Sequence, residues 1–275
     1  MNKNSNTYQI VYSAVMVILV GVFLAGVYMW LKPRQDENVA NDKRKQILSA
    51  VHLTPSGDQD VKTQFEKYIT DGFLINTDGT KAEGTDLAAA FDVDMKKNMK
   101  AAEKDRKLPV FVCNADDGSK KYVIPVYGAG LWGPIWGYVA VESDGQSVYG
   151  AYFGHEGETP GLGAEIGNEK FQKQFNGKKL YVDGEFKSLG VMKAGQKPLN
   201  GAEYVDAISG GTITSRGVQA MLETCMTPYD PFLKSLAGGN DDCCAKDCDG
   251  TKADCDKQAA PCDKNVECDK TKKED

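Results

Sequence analysis

The sequence predicts an α+β domain carried behind a single N-terminal membrane span. Two observations set that architecture. The stretch Ile10–Leu31 (IVYSAVMVILVGVFLAGVYMWL) holds no charge, and at about 1.5 Å per residue a helix of this length covers roughly 30 Å, the thickness of a bilayer's hydrocarbon core. From Leu108 onward, the apolar residues change from helical spacing to short β-branched and aromatic runs punctuated by Gly and Asp. That change is the pattern of an antiparallel sheet with helices beside it.

The span comes first. Tyr8, Tyr28 and Trp30 stand near its ends, where aromatic rings favour the headgroup zone, and Lys32-Pro33-Arg34 closes it. A cleaved signal peptide would carry an apolar stretch of about 7–15 residues and a small-residue cleavage site. This run is longer and ends on Trp30-Leu31, so a retained transmembrane helix at 10–31 is expected. Lys3 precedes the span, whereas Lys32, Arg34, Lys43, Arg44 and Lys45 follow it. Taken alone, that bias would hold the following domain in the cytoplasm.

Residues 36–107 read as a helical membrane-proximal region. Asp36–Val51 mixes charges with Val39, Ile47, Leu48 and Val51. Asp60–Ile69 has apolar residues at helical spacing with Asp60 as its cap, and Thr85-Asp86 opens a helix over Leu87–Lys107. The main domain is placed at 108–236. Its strands are Leu108–Cys113, Lys121–Tyr127, Trp136–Glu142, Val148–Phe153 and Phe186–Lys193. Glu165–Phe175 is helical, and Thr212–Leu236 is a helix broken at Pro228 or Pro231.

Composition excludes several functions. Of 275 residues, 33 are Lys or Arg and 39 are Asp or Glu, a formal net charge of -6. A nucleic-acid binder needs a basic face, so none is expected. Two His argue against a His-rich metal or haem site. No Rossmann glycine pattern joins a strand to a helix, so no NADH site of its own is expected. No residue of the body reads as catalytic or as a metal ligand.

Six of the eight Cys fall in the tail at 240–275, from Cys243 to Cys268. That segment has almost no large apolar residue and is expected to be disordered. Its Cys spacing is not that of a zinc finger. Soft-metal binding, disulfides and a drifting low-complexity appendage all remain open. No catalytic role follows from it.

The most informative segment is Val205–Val218 (VDAISGGTITSRGV). Ser209, Thr212, Thr214 and Ser215 bring hydroxyls together. Gly210 and Gly211 let the backbone turn sharply and approach a ligand, and the free N–H groups of a starting helix favour an anion. Arg216 adds a charge contact. The segment suits a phosphate at a helix start, although the same residues also make an ordinary N-cap. A second stretch, His155–Ile166 (HEGETPGLGAEI), is a tight loop. In it Glu158 and Thr159 offer polar contacts, Leu162 offers cover for an aromatic ring, and Gly163 gives close approach. A third, Val126–Val141 (VYGAGLWGPIWGYVAV), reads by composition as a core strand with two packed Trp.

Asp206-x-x-Ser209-Gly210-Gly211-Thr212-x-Thr214 resembles the flavinylation motif of the FMN-binding domain family, with Gly211 where that motif has Ala. Glu158-Thr-Pro-Gly-Leu-Gly163 is similar to a loop of the same family. Gly128-Ala-Gly-Leu-Trp132 resembles a segment of the C-subunit family of Na+-translocating NADH:quinone oxidoreductases. The resemblance implies FMN joined covalently, through a phosphoester made by a flavin transferase, to Thr214. Ser209, Gly210, Gly211, Thr212, Ser215, Glu158, Thr159, Leu162 and Gly163 are then expected around the cofactor. It also implies an electron-transfer role between NADH and quinone, coupled to Na+ export and inert without the other subunits. The expected location is the bacterial inner membrane with the C-terminal domain periplasmic, against the charge bias. The attached hydroxyl is expected to be exposed, and Leu162 and Glu158 are expected to tune the flavin without affecting attachment. Two other functions stay open: the G-subunit of an Rnf-type ferredoxin:NAD+ oxidoreductase, and a membrane-tethered metal-binding protein using the tail.

Overall fold

The computed structural model describes residues 6–55, 57–102, 105–116 and 118–238. The Cys-rich tail, with its expected disorder and its three readings, lies outside the described residues.

The helix does not stop where the apolar run does. Helix α1 covers Asn6–Ala50, 45 residues, so the span and the expected Asp36–Val51 helix are one rod of roughly 65–70 Å, with Pro33 inside it. The most apolar 18-residue window has a mean hydropathy of 2.6, and none of it is buried against the rest of the chain. Such a surface needs lipid or a partner helix to cover it. Only the end of α1 enters the domain, where Ile47, Leu48 and Ala50 are buried.

Helix α2 (Asp58–Tyr68) starts behind Gly57. Asp60 lies inside it and accepts a hydrogen bond from Gln64 at 2.7 Å, so it is not the cap the sequence suggested. Strand β1 (Ile69–Ile75) follows, within a stretch read as helical. Its pairing with β2 (Leu108–Asn114) is distant in sequence, and helical spacing up to Tyr68 gives no warning of it. Asp86 caps α3 (Leu87–Phe91) by accepting from the Ala89 N–H at 2.8 Å. The long helix expected over Leu87–Lys107 is not formed. Asp94 accepts from the Lys97 N–H and starts a new short helix, α4 (Met95–Asn98), because its side chain competes for backbone donors.

Strands β3 (Lys120–Ala129), β4 (Pro134–Val141) and β5 (Val148–His155) complete an antiparallel meander in the order β1-β2-β3-β4-β5. Short helix α5 (Glu169–Gln172) sits between two 3-10 turns, Gly163–Gly167 and Lys173–Phe175. Strands β6 (Tyr181–Val182) and β7 (Glu185–Phe186) form one small ribbon, and β8 (Gly190–Met192) and β9 (Tyr204–Asp206) pair in parallel. The single strand expected over Phe186–Lys193 is split at Ser188, whose φ of 55° takes the chain out of extended geometry. Helix α6 (Thr212–Met226) passes through a turn at Thr227–Tyr229, which holds Pro228, into α7 (Asp230–Gly238).

Both faces of the sheet are covered, and the side chains alternate accordingly. Val110, Val112, Ile124, Val126, Val139 and Val141 face the cluster built by α6, Tyr229 and Phe232. Phe111, Cys113, Val123, Tyr138 and Ala140 face the end of α1 with Phe65 and Ala90. Helix α6 lies against β3 because glycines remove the side chains between them. A Cβ at Gly128 would lie 2.8 Å from that of Met221, and one at Gly217 would lie 2.3 Å from the carbonyl oxygen of Ala129. Backbone cannot yield as a side-chain tip can, so Gly217→Ala should push α6 outward. The expected cost is about 1–3 kcal/mol, read as a lower melting temperature. An unchanged melting curve would show that the approach is not obligatory.

Candidate functional site

Three segments meet at the start of α6. The chain leaves β9, turns through Gly210 (φ +75°) and enters α6 behind Gly211, whose N–H donates to Ile208 O at 3.0 Å. Ser215 reaches back, its hydroxyl oxygen accepting from the Ile208 N–H at 3.1 Å, and so fixes this turn. Thr214 is turned inward. It is 1 % exposed, and its hydroxyl donates to Glu158 Oε2 at 2.5 Å.

Glu158 comes from the loop after β5 and is 4 % exposed. Its other oxygen, Oε1, accepts the Trp132 N–H at 2.8 Å from the turn between β3 and β4. Burial acts to raise the carboxyl's pKa. The Thr214 hydroxyl and the N–H groups of Trp132, Gly133 and Leu131 outweigh it and hold the group below the ordinary glutamate range. The carboxylate therefore sits in a cradle of donors from two other segments. Two glycines make room for it: a Cβ at Gly130 would lie 2.5 Å from Oε1, and one at Gly163 would lie 2.4 Å from Oε2 and 2.5 Å from Thr214 Oγ1.

The segments that form this polar centre also carry exposed apolar side chains. Leu131 (47 % exposed), Trp132 (69 %), Leu162 (42 %) and Ile213 (57 %) are large hydrophobic side chains left open to solvent. All four lie on the segments that meet here, and Leu162 packs on Gly210, where a Cβ would come within 2.5 Å of its Cδ2. Exposed apolar side chains grouped beside a helix start offer a planar aromatic ligand a surface and its phosphate a set of N–H groups. The donor set and the apolar surface both fit a flavin mononucleotide.

Most of the residues expected around the cofactor do come together, with differences. Gly211 stands where an Ala Cβ would be tight, 3.1 Å from Ile208 Cγ2 and 3.3 Å from the Gly163 N. Ser209 and Thr159 are exposed, and Thr159 contributes its carbonyl oxygen, which accepts from the Leu162 and Ala164 N–H groups at 3.1 Å. Arg216 and Thr212 line a cavity of about 500 Å³ on another side of α6, with Lys193 and Glu223, so Arg216 does not reach Thr214. Thr214 is buried rather than exposed as expected, because the short loop at Gly163 lets Glu158 close over its oxygen. Trp132 is not the packed core residue that composition suggested. It tops the β3–β4 turn, while Trp136 on β4 donates from Nε1 to Gln46 Oε1 at 3.1 Å. The backbone donors of Leu131, Trp132 and Gly133 had no signal in sequence beyond the glycines that flank them.

The model of the FMN-binding domain family matches residues 130–227, which hold Glu158 and Thr214. The C-subunit of the Na+-translocating NADH-quinone reductase of Pseudomonas aeruginosa is 31% identical over 86% of this chain and 98% of its own length. That of Pasteurella multocida is 34% identical over 86% of this chain and 97% of its own length. The chain belongs to this C-subunit family. Its fold agrees with the crystal structure of the corresponding subunit of Parabacteroides distasonis, 45% identical, TM-score 0.67, covering 74% of this chain and 96% of the other. It also agrees with that of Shewanella oneidensis NqrC, 29% identical, TM-score 0.59, covering 71% and 98%. The match confirms the predicted α+β class, with one long apolar helix ahead of an antiparallel sheet and flanking helices.

The carboxylate makes a pH prediction. The folded pKa of Glu158 lies below its unfolded value. Its contribution to stability is therefore fully present above the unfolded pKa and is lost as pH falls through the folded one. Melting temperature should drop as the solution is acidified below pH of about 4.3, and Glu158→Gln should remove part of that dependence. Identical acid profiles for the two chains would contradict the cradle.

Proposed function

We propose that this chain is the electron-transfer subunit of a Na+-translocating NADH:quinone reductase and carries FMN esterified through its phosphate to Thr214. The observation that carries the reading is the threonine hydroxyl at a helix start, held by Glu158 and lying in the segment that resembles the flavinylation motif, with Leu131, Trp132, Leu162 and Ile213 exposed on the segments that meet there. When bound, the flavin supplies the redox chemistry. The chain's residues supply the rest. Thr214 offers the oxygen to which the phosphate is tied, and the N–H groups at the start of α6 favour the phosphate's charge. The four exposed apolar side chains would offer the ring an apolar surface. Ser215 keeps the turn in place through Ile208. The other subunits supply NADH oxidation, quinone reduction and Na+ passage, and a flavin transferase makes the bond.

The chain is read as a single-pass protein of the bacterial inner membrane, with the amino terminus inside and Gln35 onward in the periplasm. The opposing charge bias is weaker than a count suggests. The Lys43 ammonium donates to the Phe91 carbonyl and lies 4.6 Å from the centre of that ring, and burial lowers its pKa. The Arg44 guanidinium lies 5.3 Å from the same ring centre. Both charges are engaged with the folded domain, which gives them a reason to follow the span other than orientation. A reporter fused after Leu236 should be active on the periplasmic side, and activity confined to the cytoplasm would overturn this placement.

Peptide mapping after expression with and without a flavin transferase tests the bond. FMN mass is expected on Thr214 and only with the transferase. Thr214→Val should lose it, Thr214→Ser should retain a part, and Thr212→Val should keep most. FMN mass on Thr212 or Ser215 would move the site, and none within 206–218 would overturn the function. Leu162→Ala and Trp132→Ala should keep the bond but shift the flavin's absorption spectrum or potential. Unchanged optical and redox behaviour in both would mean that these side chains do not touch the ring.

A further inference from the structure

Resting on the assignment of Thr214 as the attached residue, we infer that Glu158 is the proton acceptor for attachment, taking the hydrogen of the Thr214 hydroxyl as its oxygen attacks phosphorus. The hydroxyl already donates to Glu158 Oε2 at 2.5 Å, and both side chains are buried, so water does not compete for that proton. The cradle of Leu131, Trp132 and Gly133 N–H groups keeps the carboxylate ionised and fixes its orientation. Gly130 and Gly163 are the positions where any side chain would part the two groups.

Forming a phosphodiester from an alcohol requires an activated phosphate, so the donor is a flavin phosphoanhydride. The Thr214 Oγ1–P bond forms and the phosphoanhydride P–O bond breaks. The leaving nucleoside monophosphate carries away that electron pair, and the hydroxyl proton passes to Glu158 Oε2. A carboxylate is too weak a base to ionise a free threonine. The hydroxyl becomes acidic only as its bond to phosphorus grows, so the transfer accompanies attack instead of preceding it. The same contact revises the expectation that Glu158 acts on the flavin alone. Because Thr214 is 1 % exposed, Leu162 and Gly163 must move off Gly210 and the oxygen before the donor reaches it, while the β3–β4 donors keep Glu158 beside the hydroxyl.

The test is single-turnover flavinylation of the full chain in detergent, with purified flavin transferase and FAD. It is followed by mass, with titration of the chain to separate kcat from KM. Glu158→Gln keeps an oxygen for the Trp132 N–H but cannot take a proton. Its kcat should fall about 100-fold, at the low end for general bases, with KM for the chain almost unchanged. Glu158→Asp should recover part of the rate. A folded Glu158→Gln chain loaded on Thr214 at the wild-type rate would overturn the proposal while leaving the attachment reading intact. FMN mapped to another residue would instead overturn that reading. If Glu158→Gln does not fold, the wild-type chain decides. Its loading should be slower in D2O if the proton is in flight, and equal rates in H2O and D2O would reject the role.

Discussion

A buried carboxylate must find donors for both of its oxygens, and most of the site follows from how Glu158 does so. Leaving such a group unsatisfied costs more than a neutral hydrogen bond returns. The chain therefore brings the β3–β4 turn to one oxygen and the first turn of α6 to the other. Gly130 and Gly163 are consequences of that requirement, since each stands where a Cβ would strike the carboxylate. So are the inward aim of Thr214 and the outward aim of Ile213 beside it, because neighbours on a helix cannot share a face.

The sheet makes the meeting possible at a distance. Helix α6 must lie close to β3 for its first turn to reach the loop after β5, and Gly128 and Gly217 remove what would hold them apart. On the opposite face the end of α1 packs against Phe65, Phe111 and Tyr138. Lys43, Arg44 and Gln46 tie it to Phe91 and Trp136. With Ile47 and Leu48 wholly buried, the end of α1 is part of the domain core.

Some of this was legible in the sequence. The uncharged run at Ile10–Leu31, strands β2 to β5 and the hydroxyl-rich start of α6 announced themselves, because each depends on spacing within a few residues. Strand β1 did not, since a strand that follows a helix without a break shows itself only through its partner β2. The long helix expected after Asp86 failed at Asp94, where a side chain of modest helix preference took up a backbone donor. Ser188 broke a strand by taking a φ of 55°, which its residue type does not ask for.

The sequence by itself determined the long apolar N-terminal helix, the α+β class and the resemblance of the segment that starts α6, for these rest on local pattern and on residue type. Tertiary structure alone decided that Thr214 is buried, that Glu158 is its partner across 56 positions of chain, that Trp132 is exposed and that Arg216 faces elsewhere. The physical reason is one of range. Hydrophobic periodicity and capping act within a turn or a strand, whereas the satisfaction of a buried charge is settled only once distant segments have been packed together.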